Sequence, residues 1–189
     1  MPDSASGWVP SSAPAGLLVA GSVSLRRWRP DDAEVMHALI TANVGHLRPT
    51  MPWIAHEPLA LEARRALLTE WEAAFDGHRD FAYLVLEGTE PAGSAGLHAR
   101  RGTGVLEIGY WVDGARNGRG LATAAARMLA DAALALDGVT AVEIHHDAGN
   151  PASGRVAEKC GFVQVSTYAR DPEAPGDSGV AVRWVRTRA

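Results

Sequence analysis

ARNGRGLATAAARMLADAA, Ala115 to Ala133, is the stretch on which the fold turns. The small positions Gly118, Gly120 and Ala122 alternate with Arg119 and Leu121, and an alanine-rich helical pattern follows. VLEIGYWV, Val105 to Val112, lies just before and reads as a strand. A strand thus gives way to a helix through a turn that has shed its side chains but kept an arginine. A helix N-terminus carries unpaired N–H groups and a partial positive charge. Small residues there let a phosphate come close enough to accept those N–H bonds. The plainer reading is a glycine turn that only joins strand to helix, and the stretch alone leaves both open. It is not a Walker loop, since no Gly-Lys-Ser/Thr occurs, and it lacks the full G-x-G-x-x-G of a Rossmann fingerprint.

Working outward, FAYLVLE (Phe81 to Glu87), AGSAGLHAR (Ala92 to Arg100) and VLEIGYWV read as an antiparallel meander. Gly88 and Gly102-Thr103-Gly104 mark its turns. Further upstream, Leu17 to Trp28 looks like a hairpin broken at Gly21. Pro30-Asp31-Asp32 suits a helix start, with Val35, Met36, Leu39 and Ile40 at helical spacing. HLRPTMPWIAHEP is a proline-shaped loop, and Ala60 to Phe75 forms an amphipathic helix. Downstream, the long helix runs from Gly120 to about Leu136 and stops at Asp137-Gly138. VTAVEIHHD is then a strand, NPASGRVAEKCG a helix, and FVQVSTYA and VAVRWVRT two last strands. This order predicts a mixed α/β sheet, not a doubly wound parallel one.

The 189 residues fit a single domain over residues 16–189 behind a flexible Ser/Pro/Ala/Gly-rich extension over residues 1–15. With 47 % apolar residues the chain can bury a core without disulfides or metals. Its net charge of −4 and scattered arginines argue against a nucleic-acid partner, which needs a clustered basic face. Pairs such as Arg26-Arg27, Arg64-Arg65 and Arg100-Arg101 read as solvated faces. The lone Cys160 has no disulfide partner and no zinc-ligand company, which fits a cytoplasmic setting. No signal peptide or membrane span is expected.

NGRGLA, Asn117 to Ala122, resembles the Q/R-x-x-G-x-G/A pyrophosphate loop of the GNAT superfamily of acyl-CoA-dependent N-acyltransferases, with Asn117 departing at the first position. GNPASGRVAEKCGF, Gly149 to Phe162, is similar to that family's N-x-x-S-x-x-x-x-E-K-x-G-F segment. EIGYWV, NGRGLAT and HLRPTMPW (His46 to Trp53) resemble the RimJ/RimL type, which acetylates N-termini of ribosomal proteins. The resemblance spans roughly Leu17 to Val185. It implies a mostly antiparallel sheet, flanked by helices and splayed between the fourth and fifth strands, with a bulge permitted by Gly109. It implies acetyl-CoA as co-substrate, no metal, and direct attack of a primary amine on the thioester.

By the same resemblance, the backbone of Tyr110, Trp111 and Val112 bonds the pantetheine arm. Asn117, Gly118, Arg119, Gly120, Leu121, Ala122 and Thr123 cradle the pyrophosphate. Asn150 and Ser153 lie near the thioester, with Ser153 protonating the leaving thiolate. Asn150 also fits as an N-cap before Pro151, and Trp111 as simple core packing. The general base is expected to be Glu107, which shares a strand face with Val105 and Gly109. His145 and His146 are its rivals, and only one of those two can face the site. His46, Arg48, Met51, Trp53 and His145 would line the acceptor side. Cys160 has no chemical role. The acceptor is expected to be a protein or peptide α-amine. A small-molecule amine, or a succinyl donor met by Arg48 or Arg100, stays open, as does a non-catalytic acyl-CoA sensor. An edge strand near Val180 to Val185 would support a homodimer.

Overall fold

A computed structural model describes residues 7–188. Its strands are Leu17–Ala20 (β1), Val23–Arg27 (β2), Asp80–Glu87 (β3), Glu90–His98 (β4), Val105–Val112 (β5), Ala141–Asp147 (β6), Val163–Ala169 (β7) and Val180–Thr187 (β8). They form one eight-stranded sheet in the order β1-β2-β3-β4-β5-β6-β8-β7. Among the described residues only β5 and β6 pair in parallel. Parallel neighbours need a long crossover, and here it is the alanine-rich helix Leu121–Leu134, which follows the glycine stretch.

The β5–β6 pairing decides the site. It covers only Val105–Ile108 against Ala141–Ile144. Beyond that point β5 continues on β4 and β6 continues on β8, but the two no longer bond each other. A wedge opens between them from Gly109 and His145 onward. It lies between the fifth and sixth strands of this chain, because the β1–β2 hairpin adds a strand at the edge. The expected bulge at Gly109 is absent: the β4–β5 register runs unbroken from Gly93↔Val112 to His98↔Glu107.

Four α-helices cover the sheet: Ala33–Leu47 (α1), Leu61–Asp76 (α2), Leu121–Leu134 (α3) and Pro151–Lys159 (α4). On one face, Leu106 and Ile108 of β5 and Val142 and Ile144 of β6 pack on Leu121, Ala125, Ala126, Leu129, Ala130 and Ala133 of α3. The alanine stripe lets α3 lie close to the sheet, with no long side chains to hold it off. On the other face, Trp28, Met36, Ile40, Leu47, Ile54, Leu68 and Leu84 form a second core under α1 and α2. The wedge passes between these two layers.

Several expectations change. Arg64 is not a solvated residue: its guanidinium donates to both Glu57 oxygens at 2.9 and 2.7 Å, and both side chains are almost fully buried. Arg26 and Arg27 are likewise paired, with Asp32 and Asp76. Val180 to Val185 is not an edge, since β8 lies between β6 and β7; β7 is the edge. The composition predicts a loose segment over residues 1–15. Its described part, 7–15, lies against the body instead. Trp8 and Ala13 pack on the core, and the Tyr83 hydroxyl donates to the Ala15 carbonyl at 2.9 Å. Among the described residues, no helix is long and apolar enough to cross a membrane.

Candidate active site

The site begins at the turn into α3. Gly118 and Gly120 have φ of +78° and +79°, a left-handed conformation that glycine adopts without strain. A Cβ built on either meets nothing within 4 Å, so the loop's outer surface is open. The first N–H groups of α3 have no intrahelical acceptor. Among the described residues, none of the N–H groups of residues 118–123 has a recorded partner. This is a concave row of donors at a helix N-terminus, the arrangement that suits a pyrophosphate. The side chain of Leu121 is buried, so it can offer only its N–H. Asn117 and Thr123 border the same row.

The loop is braced from behind. Glu87, at the end of β3, holds Arg116 at 2.7 Å and Arg119 at 2.8 Å. Arg119, expected on the phosphates, therefore has an acidic partner of its own. Gly114 donates its N–H to Asn43 Oδ1 at 2.8 Å, and Asn43 Nδ2 donates back to the Leu39 carbonyl. His46 packs against the same turn: a Cβ on Gly114 would lie 3.0 Å from its Cγ. His46 thus touches the nucleotide-side loop.

The wedge is crossed on the α3 and α4 side by one contact that the sequence reading missed. The Tyr110 hydroxyl lies 2.8 Å from Ser153 Oγ and 3.3 Å from the Ser153 carbonyl. With one proton, the phenol either donates to the carbonyl and accepts from Oγ, which satisfies both contacts, or donates to Oγ. Burial pushes the Tyr110 phenol up to about 12, against the pull of the Ser153 bond, so it stays protonated at neutral pH. Asn150 Oδ1 caps α4 by accepting from the Ser153 N–H at 3.3 Å, which fixes Ser153 in the first turn.

On the opposite face, Glu107 is buried and clamped. Arg100 bonds both its oxygens at 2.9 and 2.8 Å, and Arg101 adds a contact at 2.5 Å. Burial alone would raise this carboxyl. Arg100 first and then Arg101 outweigh burial and hold it down at about 2. So weak a base does not take a proton from an amine at neutral pH, and the general-base expectation for Glu107 does not stand. Arg100 is committed to Glu107, which removes it as a free donor-carboxylate ligand.

The two rival histidines point to opposite faces, as strand alternation requires. His146 lies on the α4 side, its Nδ1 on the Asp147 carbonyl at 2.8 Å and its Nε2 accepting from Trp184 at 3.0 Å. Both nitrogens are used, so it has no free lone pair. His145 shares the face of Glu107, with Nε2 2.7 Å from Glu143 and Nδ1 3.3 Å from the Tyr168 hydroxyl. Arg183 also contacts Glu143. The segment expected as a loop from His46 is in part helical, since His46 and Leu47 close α1 and Pro52–His56 form a 3-10 turn, and its stretch to Trp53 borders this face. Trp53 tilts against Trp111 with ring centroids 6.1 Å apart, and Met51 joins the same cluster. Trp111 therefore packs, as its simpler reading holds. Arg48 is exposed. The far rim is tied in by Gly176, whose N–H donates to the Pro49 carbonyl at 2.8 Å.

A donor row at a helix N-terminus, a strand pair that parts beside it, and a hydroxyl pair at the mouth together suit an extended ligand that carries a phosphate. The sequence profile of the acetyltransferase (GNAT) domain matches residues 22–163, and the chain belongs to that family. It is an N-acetyltransferase with acetyl-CoA as co-substrate. No curated relative matches the sequence. Among solved structures, RimL, the ribosomal L7/L12 α-N-protein acetyltransferase in complex with coenzyme A, is 20 % identical. The match covers 90 % of this chain and 96 % of that one, with a TM-score of 0.82. The microcin C7 self-immunity acetyltransferase MccE, in complex with acetyl-CoA and AMP, is 19 % identical over 94 % and 99 %, with a TM-score of 0.83. RimJ from Mycobacterium smegmatis, in complex with a CoA disulfide, is 24 % identical over 94 % and 85 %, with a TM-score of 0.75.

Proposed function

We propose that the protein acetylates the α-amino group of a protein or peptide N-terminus, the amine attacking the acetyl thioester directly. The observation that carries this reading is the wedge between β5 and β6, with Tyr110 and Ser153 on one side and an open polar face on the other. Acetyl-CoA supplies the activated acetyl group. The N–H row of residues 118–123 would hold its pyrophosphate, with Asn117 at the edge and Arg119 fixing the loop through Glu87. The freed edge of Tyr110 to Val112 would take the pantetheine amides as an added strand. Ser153 would donate to the sulfur as charge develops there, and Tyr110 would back it by donating to Ser153. A phenol raised to about 12 acts here by hydrogen bonding, since a thiolate is too weak a base to deprotonate it.

Arg48, Met51, Trp53, His46 and His145 would border the acceptor. The likeness to RimL and RimJ supports an N-terminal amine. The likeness to MccE, a microcin C7 self-immunity acetyltransferase, is as close, and the second reading is a small-molecule amine. A cytoplasmic setting fits the single buried Cys160, and a homodimer would use the β7 edge. The test is thiol release from acetyl-CoA with peptides starting in serine or alanine, set against polyamines and aminoglycosides. Turnover confined to the peptides supports the first reading. Turnover confined to the small amines replaces it with the second.

A further inference from the structure

His98 stands where a proton acceptor for the incoming amine belongs. It is the last residue of β4, and register sets it directly across from Asp80 on β3 and from Glu107 on β5. The three side chains therefore form a row on the face away from α3. His98 Nδ1 lies 2.8 Å from Asp80 Oδ1, a close polar contact whose angle is not that of a straight hydrogen bond. Its other nitrogen, Nε2, reaches over Gly109: a Cβ on that residue would sit 3.1 Å from it. Among the described residues Nε2 has no recorded partner, and the side chain is 25 % exposed. Gly109 is the first residue of β5 past the pairing with β6, so this free nitrogen overhangs the start of the wedge.

The next residue, Tyr110, points to the opposite face and meets Ser153. The wedge thus has an imidazole on one side and a hydroxyl pair on the other. Direct transfer uses two groups, a proton acceptor beside the entering amine and a hydrogen-bond donor beside the departing sulfur, and the wedge offers one of each.

We propose that His98, oriented by Asp80, is the general base of the acetyl transfer. This rests on the acyl-transfer reading of the wedge. Nε2 takes one proton from the acceptor ammonium, leaving a neutral amine, and passes it to water through its exposed edge. The amine lone pair forms the C–N bond to the thioester carbonyl carbon. The C–S bond breaks with its electron pair going to sulfur. The surplus proton on nitrogen ends on that sulfur, giving the amide and free thiol. Glu107 cannot take this part, since Arg100 and Arg101 hold it as an anion. His145 also faces the wedge, but Glu143 and Tyr168 occupy both its nitrogens. The charged groups around His98 are Asp80 from β3, Glu107 from β5, and the Arg100 and Arg101 that follow β4. Asp80 is a positioning residue.

The experiment measures acetyl-CoA turnover against pH for wild type, His98→Gln, Asp80→Asn and His145→Gln. The acceptors are peptides starting in serine or alanine, polyamines and aminoglycosides. Acetyl-CoA binding by thermal shift is measured on each variant to show that it is folded and loaded. The expected result for His98→Gln is a loss of about 10²-fold or more in kcat/KM, normal acetyl-CoA binding, and disappearance of the acid limb of the wild-type profile. Asp80→Asn is expected to lose less and to shift that limb. An acceptor amine that is already neutral at the assay pH should narrow the gap between His98→Gln and wild type. If His98→Gln binds acetyl-CoA and keeps wild-type turnover and profile, His98 is not the base, while the transfer reading survives. If His145→Gln alone removes the acid limb, the base is His145. If the wild type binds no acetyl-CoA, or transfers to none of these amines, the underlying reading falls and this one with it.

Discussion

Gly120→Glu puts the phosphate cradle at risk without endangering the fold. Gly120 sits at φ +79°, and a Cβ there meets nothing within 4 Å. The substitution creates no internal clash, so its folding cost is that of a left-handed backbone, about 1–2 kcal/mol. In a domain of this size each 1 kcal/mol lowers the melting temperature by about 2–4 °C. The expected drop is therefore about 2–8 °C, which leaves a folded protein. Binding should suffer more. A carboxylate about 4 Å from a phosphate charge near a protein surface is repelled by about 4 kcal/mol before salt screening, close to three orders of magnitude in affinity. Gly120→Ala carries the same backbone strain without the charge and separates the two effects. The assay is a thermal-shift titration with acetyl-CoA at fixed salt. At 100 times its dissociation constant the ligand should add about 2.7 kcal/mol to the wild type, or about 5–11 °C. Gly120→Glu should show no shift at the same concentration. A Gly120→Glu affinity within about threefold of wild type, or about 0.7 kcal/mol, would refute the cradle.

Ser153→Ala should lower kcat by about 10–10²-fold and Tyr110→Phe by less, both with acetyl-CoA affinity kept, as steady-state kinetics and calorimetry would show. Arg64→Met leaves the Glu57 carboxylate buried without its partner and should cost about 3–5 kcal/mol in denaturant unfolding. Glu107 and Asp147 are both held at about 2, well below the carboxylate range of an unfolded chain. Their contribution is present above that range and is lost as the pH falls through it towards 2. Melting temperature should therefore fall steeply between about pH 5 and pH 2, and Glu107→Gln should flatten part of that slope while lowering stability at neutral pH.

Much of the architecture could be read before any coordinates. VLEIGYWV matches β5 residue for residue, and α2 and α3 begin within a residue of their expected starts, because period and glycine punctuation are local signals. Register and pairing are not local. AGSAGLHAR reads as one strand to Arg100, but β4 ends at His98 and frees Arg100 and Arg101 to fold back on Glu107. Nothing in the spacing of these residues shows that they would disarm the expected base. His98 gains meaning only once β3 and β5 are laid beside β4, which sets Asp80 on one flank and Gly109 under its ring. Tyr110 and Ser153 meet across 43 positions of sequence, so only the return of the chain through α3 and β6 brings the pair together. The glycine pattern foretold the turn into a helix N-terminus, but not that Glu87 would claim Arg119.

Asn43 has a further consequence. One buried amide in α1 bonds its own helix through Leu39 and the entrance of the nucleotide loop through Gly114. The same helix leads directly into the Arg48 to Trp53 rim. A ligand that stiffens the loop also stiffens the end of α1, and linkage makes the effect mutual: whatever factor acetyl-CoA gains from a bound acceptor, the acceptor gains from bound acetyl-CoA. The two substrates are then thermodynamically coupled through a single side chain. Asn43→Ala should uncouple them, leaving each binary affinity closer to the ternary one.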